Sequence, residues 1–371
     1  MIRAFSEEPL GYRPPASVDG KPRGDCRENL SPLKSSSPLI ITAMPSRAAV
    51  LDRPHVPLRL EIRDTPRPAK DHVVIAVEAC AVCRTDLHLA DGELGRARFP
   101  VVPGHQVIGR VVETGDNSAR VVGERVGLAW IADACGRCDR CREGRENLCL
   151  QAKFRGCDVD GGYAERVVAK ADFAIPIPEG LEASAAAPLL CAGAIGWRAL
   201  TLAGQGERIG LYGFGSSARL LTQVLVAQGR RVLAFTRPGT PAVQALARDL
   251  GATWAGGTDE TPPERLDAAI LFAPAGELVP AALAQVASGG TVVCAEIHMS
   301  DLPSFPYALL FGERVVRSVA NVTRRDVAEV LAFASTHPLR APVIPMPLAD
   351  AQAALEAVRR GALTAQPVLI P

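Results

Sequence analysis

Between residues 48 and 126 short apolar runs are broken by Pro and Gly: Val73-Val74-Ile75-Ala76-Val77, Val107-Ile108-Gly109-Arg110-Val111-Val112, and Val121 to Val126. Runs of this length, rich in β-branched residues and bounded by turn formers, predict strands and a compact β-rich domain. Beyond Pro188 the texture changes. Arg208-Ile209-Gly210-Leu211-Tyr212 predicts a strand, Ala218, Leu221, Leu225 and Val226 mark one face of the next helix, and Arg231 to Phe235 predicts a second strand. Ala242 to Leu250 follows as a helix stopped by Gly251; Ala268 to Phe272 and Thr291 to Ala295 then predict strands around a helix from Pro280 to Ala287. Val315 to Ala320 would be the last strand of this sheet. Such alternation is the mark of a parallel sheet covered by helices, so the fold class expected is α/β. Asp326 to Ser335 and Leu348 to Arg359 predict helices, and Pro367-Val368-Leu369-Ile370 a strand returning to the first domain.

At 371 residues the chain is long enough for two ordinary domains. The pattern divides it into an N-terminal extension over 1–43, a β-rich domain over 44–195, a doubly wound parallel-sheet domain over 196–320, and a return to the first domain over 321–371. Residues 1–43 are rich in Pro, Ser, Arg and Gly and have little to bury, which predicts disorder, with Met44 as an alternative start. Glu7, Glu8, Asp19, Asp25 and Glu28 argue against a transit peptide, which is poor in acids.

A formal net charge of +1 gives no electrostatic case for nucleic acid or an anionic membrane as partner. The longest apolar stretch, Ala183 to Trp197, is interrupted by Ser184, Pro188 and glycines and falls short of the roughly 20 residues a bilayer needs, so no membrane span is expected. Ten cysteines without a secretory signal fit a reducing, cytoplasmic setting in which thiols serve metals.

Four of those cysteines, Cys135, Cys138, Cys141 and Cys149, are spaced closely enough to close one tetrahedron around a structural zinc. Iron is the other metal such a cluster takes, but no electron-transfer context accompanies it. A second set is Cys83-Arg84-Thr85-Asp86-Leu87-His88, Gly104-His105-Gln106 and Cys191-Ala192-Gly193. A catalytic zinc needs three protein ligands and one open position, and Cys83, His105 and Cys191 offer two thiolates and an imidazole. The open position would take an alcohol and lower its pKa, easing the loss of a hydride. Thr85 and His88 would carry the proton away, and Asp86 would orient His105. Duller readings stand beside these: Cys80 and Cys83 as a redox CxxC pair, His105 and Cys191 as core residues, His88 as a solvated loop histidine.

A third set, Gly213-Phe214-Gly215-Ser216-Ser217-Ala218, directly follows a strand and opens a helix. Glycines there let the backbone approach a pyrophosphate, and the helix start supplies oriented N–H groups. The next strand ends in Phe235-Thr236-Arg237 rather than in an acid, so Thr236 and Arg237 favour NADP over NAD.

Taken in order, these motifs resemble those of the zinc-dependent medium-chain alcohol dehydrogenases, from about Ala48 to the C-terminus. The resemblance implies a GroES-like catalytic domain with a Rossmann domain inserted in it, two zinc ions per chain, reversible NAD(P)-linked oxidation of alcohols to aldehydes or ketones, and assembly as a homo-dimer or homo-tetramer. It also implies that Arg84 touches the cofactor pyrophosphate and that Trp130 lines the substrate site. Gln106 stands where the family usually has a glutamate, Gln366 where many relatives have an arginine, and Ala90 where small-alcohol members carry a tryptophan; the last predicts room for a bulkier substrate. Two competing functions remain: a zinc-independent quinone or enone reductase of the same superfamily, and a non-catalytic nucleotide-binding regulator.

Overall fold

Six strands build a sheet whose members are all parallel, in the spatial order Trp254–Gly257, Arg231–Thr236, Arg208–Tyr212, Leu266–Leu271, Val286–Cys294, Val315–Ser318. Parallel neighbours cannot be joined by tight hairpins, so helices cross between them, among them Ser216–Ala227, Pro241–Asp249 and Leu278–Gln285. The inner strands are buried on both faces, while the edge strand Val315–Ser318 is mostly exposed. Ile209, Leu211, Val232, Ala234, Ala268 and Ile270 pack in one apolar cluster, and Leu233, Phe235, Ala269, Leu271 and Val292 in another. Chain order reverses between Arg208–Tyr212 and Leu266–Leu271, and such a switch point opens a crevice at the strands' C-terminal ends. The computed structural model describes residues 44–361 and 365–371, so the disorder expected for 1–43 lies outside the described residues.

The second large sheet has seven strands and is mostly antiparallel. His72–Ala81 is its centre, pairing with Val107–Thr114, with Arg166–Lys170 and with the closing strand Gln366–Ile370. The last of these pairings sets Val368 opposite Ala81 and Leu369 opposite Cys80, so the chain's end does return to the early strands. That pairing matters for chemistry, because Ala81 lies two residues before Cys83.

Several elements differ from expectation. Val121 and Val122 are exposed, and the strand begins only at Arg125, because Gly123 turns the backbone at φ +90°. Trp254–Gly257 is a strand that the pattern does not announce: four residues, two of them glycine, show no alternation. The apolar stretch from Ala183 splits into the helices Ala183–Ala186 and Ala192–Ala203, separated by the tighter turn Ala187–Leu190 and by Cys191. No single helix among the described residues is long and apolar enough to cross a membrane. The bent pair Ala183–Leu190 and Ala192–Ala203 passes by length and composition only, and much of it lies in the core with Ile108, Val327 and Val368.

Candidate active site and metal centres

Local structure explains how Cys83, His105 and Cys191 come together. Cys83 caps the helix Arg84–Ala90, and the Asp86 carboxylate reaches back to accept the Cys83 backbone N–H at 2.8 Å. Cys191 caps the helix Ala192–Ala203 at the break in the apolar stretch, with φ −127° and ψ −74°. His105 follows Gly104, whose φ is +95° and where a side chain would strike the Tyr163 ring at 2.4 Å and Cys80 Sγ at 2.7 Å. Only glycine fits there, and it lets the His105 segment pass beneath the helix.

The resulting donor atoms all lie within 4.8 Å of one another, with Cys83 Sγ and Cys191 Sγ 3.9 Å apart. His105 is 1% exposed, and neither of its ring nitrogens makes a hydrogen bond of good geometry. Burying imidazole nitrogens without partners is costly, and a metal ligand's Nε2 or Nδ1 in a two-sulfur, one-nitrogen set is the arrangement that removes the cost. The ionisation pattern agrees. A hydrogen bond with the Cys191 thiol, opposed by burial and helped by His105, holds Cys83 well below an ordinary thiol; the same bond, with burial, pushes Cys191 well above. Burial disfavours a charged His105, yet Asp86 and the Cys83 sulfur outweigh it and raise the ring to about 10. The triad thus holds protons that a divalent cation would displace.

Around it, Asp86 is a buried hub. It accepts the Cys83 N–H, the Gly104 N–H at 3.2 Å and the Tyr163 hydroxyl at 3.1 Å, and its Oδ1 lies 3.4 Å from His105 Nδ1. Trp130 meets the His105 ring edge-on at 5.1 Å and stacks on Phe154. Gln106 and Gln366 prove to be neighbours: Gln366 Nε2 donates to Val82 O at 3.0 Å and to Gln106 Oε1 at 3.3 Å. One amide from the closing strand therefore ties the residue before Cys83 to the residue after His105, at no cost in buried charge.

Thr85 Oγ1 is 3.8 Å from Cys83 Sγ. His88 pairs through Nδ1 with Glu93 and stands with its ring 5.3 Å from that of His298. Among the described residues Thr85 and His88 share no direct hydrogen bond, so a proton passing between them needs a bridging hydroxyl or water. Ala90 corrects an expectation: it is 6% exposed and packs in the core with Leu51 and Leu348, so its small size opens no room for substrate. Leu94, by contrast, is partly buried and packs against both that core and the cluster that holds Trp130. Glu296 gave no signal in the sequence. It lies beyond the strand Val286–Cys294, and burial, with the Cys83 charge and against Arg84, lifts its carboxyl to about 7.

The second cysteine set forms one pocket of sulfur. Cys135, Cys138, Cys141 and Cys149 place their Sγ atoms within 4.8 Å of one another, and backbone N–H groups of Cys138 and Gln151 point at Cys135 and Cys149 Sγ, each at 3.4 Å. Donation from the Arg137 and Cys138 backbones lowers Cys135 to about 6, while burial and its neighbours raise Cys141 to about 12. Glu146 and Asn147 of the same loop hold the Arg324 backbone N–H at 2.9 Å and Ala320 O at 2.6 Å, docking the loop beside the helix Arg324–Thr336.

At the parallel sheet's switch point Gly213 has φ +85° and donates its N–H to Phe235 O, while Gly215 caps the helix Ser216–Ala227. A side chain built on Gly215 would meet nothing within 4 Å, leaving a cradle before exposed Ser216 and half-buried Ser217. Thr236 differs from its expected part. Its hydroxyl is buried and engaged with Gly256 O, Thr240 and Gln244, whereas Arg237 is exposed at the strand's end. Arg84 is likewise exposed.

Residues 69–179 match the family model of the alcohol dehydrogenase GroES-like domain. The chain is 44% identical to a probable alcohol dehydrogenase, AdhA, of Mycobacterium tuberculosis (strain CDC 1551 / Oshkosh) over 85% of this chain and 93% of that protein. It is 35% identical to an alcohol dehydrogenase of Geobacillus stearothermophilus over 84% of this chain and 95% of that one. Among solved structures, acetophenone reductase from Geotrichum candidum NBRC 4597 in complex with NAD is similar with a TM-score of 0.78 and 25% identity, covering 88% of this chain and 97% of that chain.

Proposed function

The chain belongs to the medium-chain alcohol dehydrogenase family, and from that premise we propose that it is a zinc-dependent, NAD(P)-linked enzyme interconverting small-molecule alcohols with aldehydes or ketones. The observation that carries this is the convergence of Cys83, His105 and Cys191, with the His105 ring buried and neither of its nitrogens in a hydrogen bond of good geometry. Cys83, His105 and Cys191 would hold a zinc, which would supply Lewis acidity toward an alcohol or carbonyl oxygen, and the Gly213–Gly215 turn would hold a nicotinamide nucleotide, which would supply hydride chemistry. The chain's own residues do the rest. Asp86 fixes the His105 ring and the Cys83 backbone; Tyr163 and Gly104 hold Asp86 in turn. Trp130 walls the site beside His105 and excludes water. The Thr85 hydroxyl takes the substrate proton at Oγ1 and His88, steadied at Nδ1 by Glu93, delivers it to solvent through a bridging group.

Cys135, Cys138, Cys141 and Cys149 would hold a second, structural zinc. The domain division is read as 44–195 with 321–371 for the catalytic domain and 196–320 for the nucleotide domain. The nine described cysteines, none of them in a disulfide, support a cytoplasmic setting, and a homo-dimer or homo-tetramer is the assembly proposed.

The test is a panel of alcohols and carbonyl compounds assayed with NAD(H) and NADP(H) on wild type and Arg237→Ala. Turnover with at least one substrate and a loss of about tenfold in NADP affinity in the variant, with NAD unaffected, are expected from one lost phosphate contact. Nucleotide binding without turnover of any alcohol or carbonyl compound favours the regulator reading, and reduction of enones without metal the reductase one.

A further inference from the structure

Three side chains that are ligands of neither cysteine centre converge as closely as Cys83, His105 and Cys191 do. The donor atoms of His88, Glu93 and His298 all lie within 4.8 Å of one another. His88 Nδ1 and Glu93 Oε2 are in hydrogen-bond contact, His298 Nε2 is 3.8 Å from the same oxygen, and the two imidazoles are tilted by 58° rather than stacked flat. Two imidazoles and a carboxylate are a donor set that zinc accepts, and ligands around a tetrahedral zinc sit about 3.3–3.5 Å apart. Glu93 and His298 are exposed and His88 half-buried, so small side-chain turns close that gap and water completes the shell. The placement is as telling as the chemistry: His88 and Glu93 belong to the helix Arg84–Ala90 and the turn after it, His298 to the segment beyond the strand Val286–Cys294 of the parallel sheet.

We propose that His88, Glu93 and His298 form a third divalent-cation site, filled reversibly when zinc exceeds the two cysteine centres, and that filling it stops turnover. Bound through Nδ1, His88 keeps only an Nε2–H and can accept no further proton, so the exit from Thr85 closes. The cation also pins the segment after Val286–Cys294 to the catalytic helix. The inhibitory half rests on the relay proposed for His88; the binding half does not.

The experiment titrates chelator-buffered zinc chloride into wild type and His298→Ala, counting bound zinc by elemental analysis after equilibrium dialysis and following turnover in parallel. Wild type should take up one equivalent per chain that the variant lacks or binds at least on the order of 100-fold more weakly, since even an outer-shell change costs 10–100-fold in metal affinity. Inhibition by excess zinc should disappear with it, while turnover without added zinc stays. Equal zinc uptake by the two proteins would overturn the site, and a third equivalent bound without inhibition would overturn its regulatory role. Because the readout is a difference between proteins, a shortfall of the first two equivalents in both counts against the two-zinc reading alone.

Discussion

The two cysteine centres, one of four donors and one of three, bring their ligands together by different means. Cys135, Cys138, Cys141 and Cys149 lie within a single loop, and short turns such as Asp139–Arg142 and Glu146–Leu148 bring the sulfurs together with little help from elsewhere. Cys83, His105 and Cys191 come from a helix start, an extended segment under Tyr163 and a broken apolar stretch, and depend on Asp86, Gly104 and the Gln366 amide to meet. The first offers the four donors a tetrahedral zinc takes, the second one fewer. The difference teaches that the loop's donors are gathered by local turns alone, whereas the triad's are gathered by the fold.

The sharpest way to break that contrast is Cys135→Ser. A structural zinc site contributes folding energy outright, so the variant should lose several kcal/mol of stability, read as a fall in thermal midpoint, and loosen the Glu146–Arg324 contact. A melt identical to wild type would remove the structural role.

Glu296 offers a second test, through pH. Its carboxyl titrates near 7 in the folded chain against about 4.5 when unfolded, so the folded state binds the extra proton between those values. Its contribution is fully present below pH 4.5 and is lost as pH rises through 7, an effect on the order of 3 kcal/mol. Denaturant melts of Glu296→Gln at pH 5 and pH 8 should differ less than those of wild type; an unchanged difference would place the titration elsewhere.

A smaller effect distinguishes support from ligation. Asp86→Asn should leave all three ligands in place yet weaken catalytic zinc binding by about 10–100-fold, the usual cost of losing an outer partner. Competition with a chromophoric chelator measures it, and the affinity of the cysteine loop should not move.

The same contrast governs what the sequence made legible. The loop was readable from spacing alone, as were the strand, glycine turn and helix at Arg208–Ala227, because both are written in neighbouring residues. The triad needed the order of motifs to suggest it, since 22 and 86 positions separate its members and no local pattern links them. Tyr163 under Asp86, Glu93 and His298 beside His88, and the meeting of Gln106 with Gln366 were not legible, for each contact is made across elements by the tertiary fold. Trp254–Gly257 carries no strand signal because two glycines erase alternation, and the burial of Ala90 is set in part by Leu348, far along the chain.

The central claim is that Cys83, His105 and Cys191 together hold a zinc on which turnover depends. Zinc content and turnover measured on the same preparation of Cys83→Ser test it most directly. Zinc should fall from two to one per chain and turnover should vanish while the melt and nucleotide binding persist. Two zinc ions retained, or turnover undiminished, would contradict it.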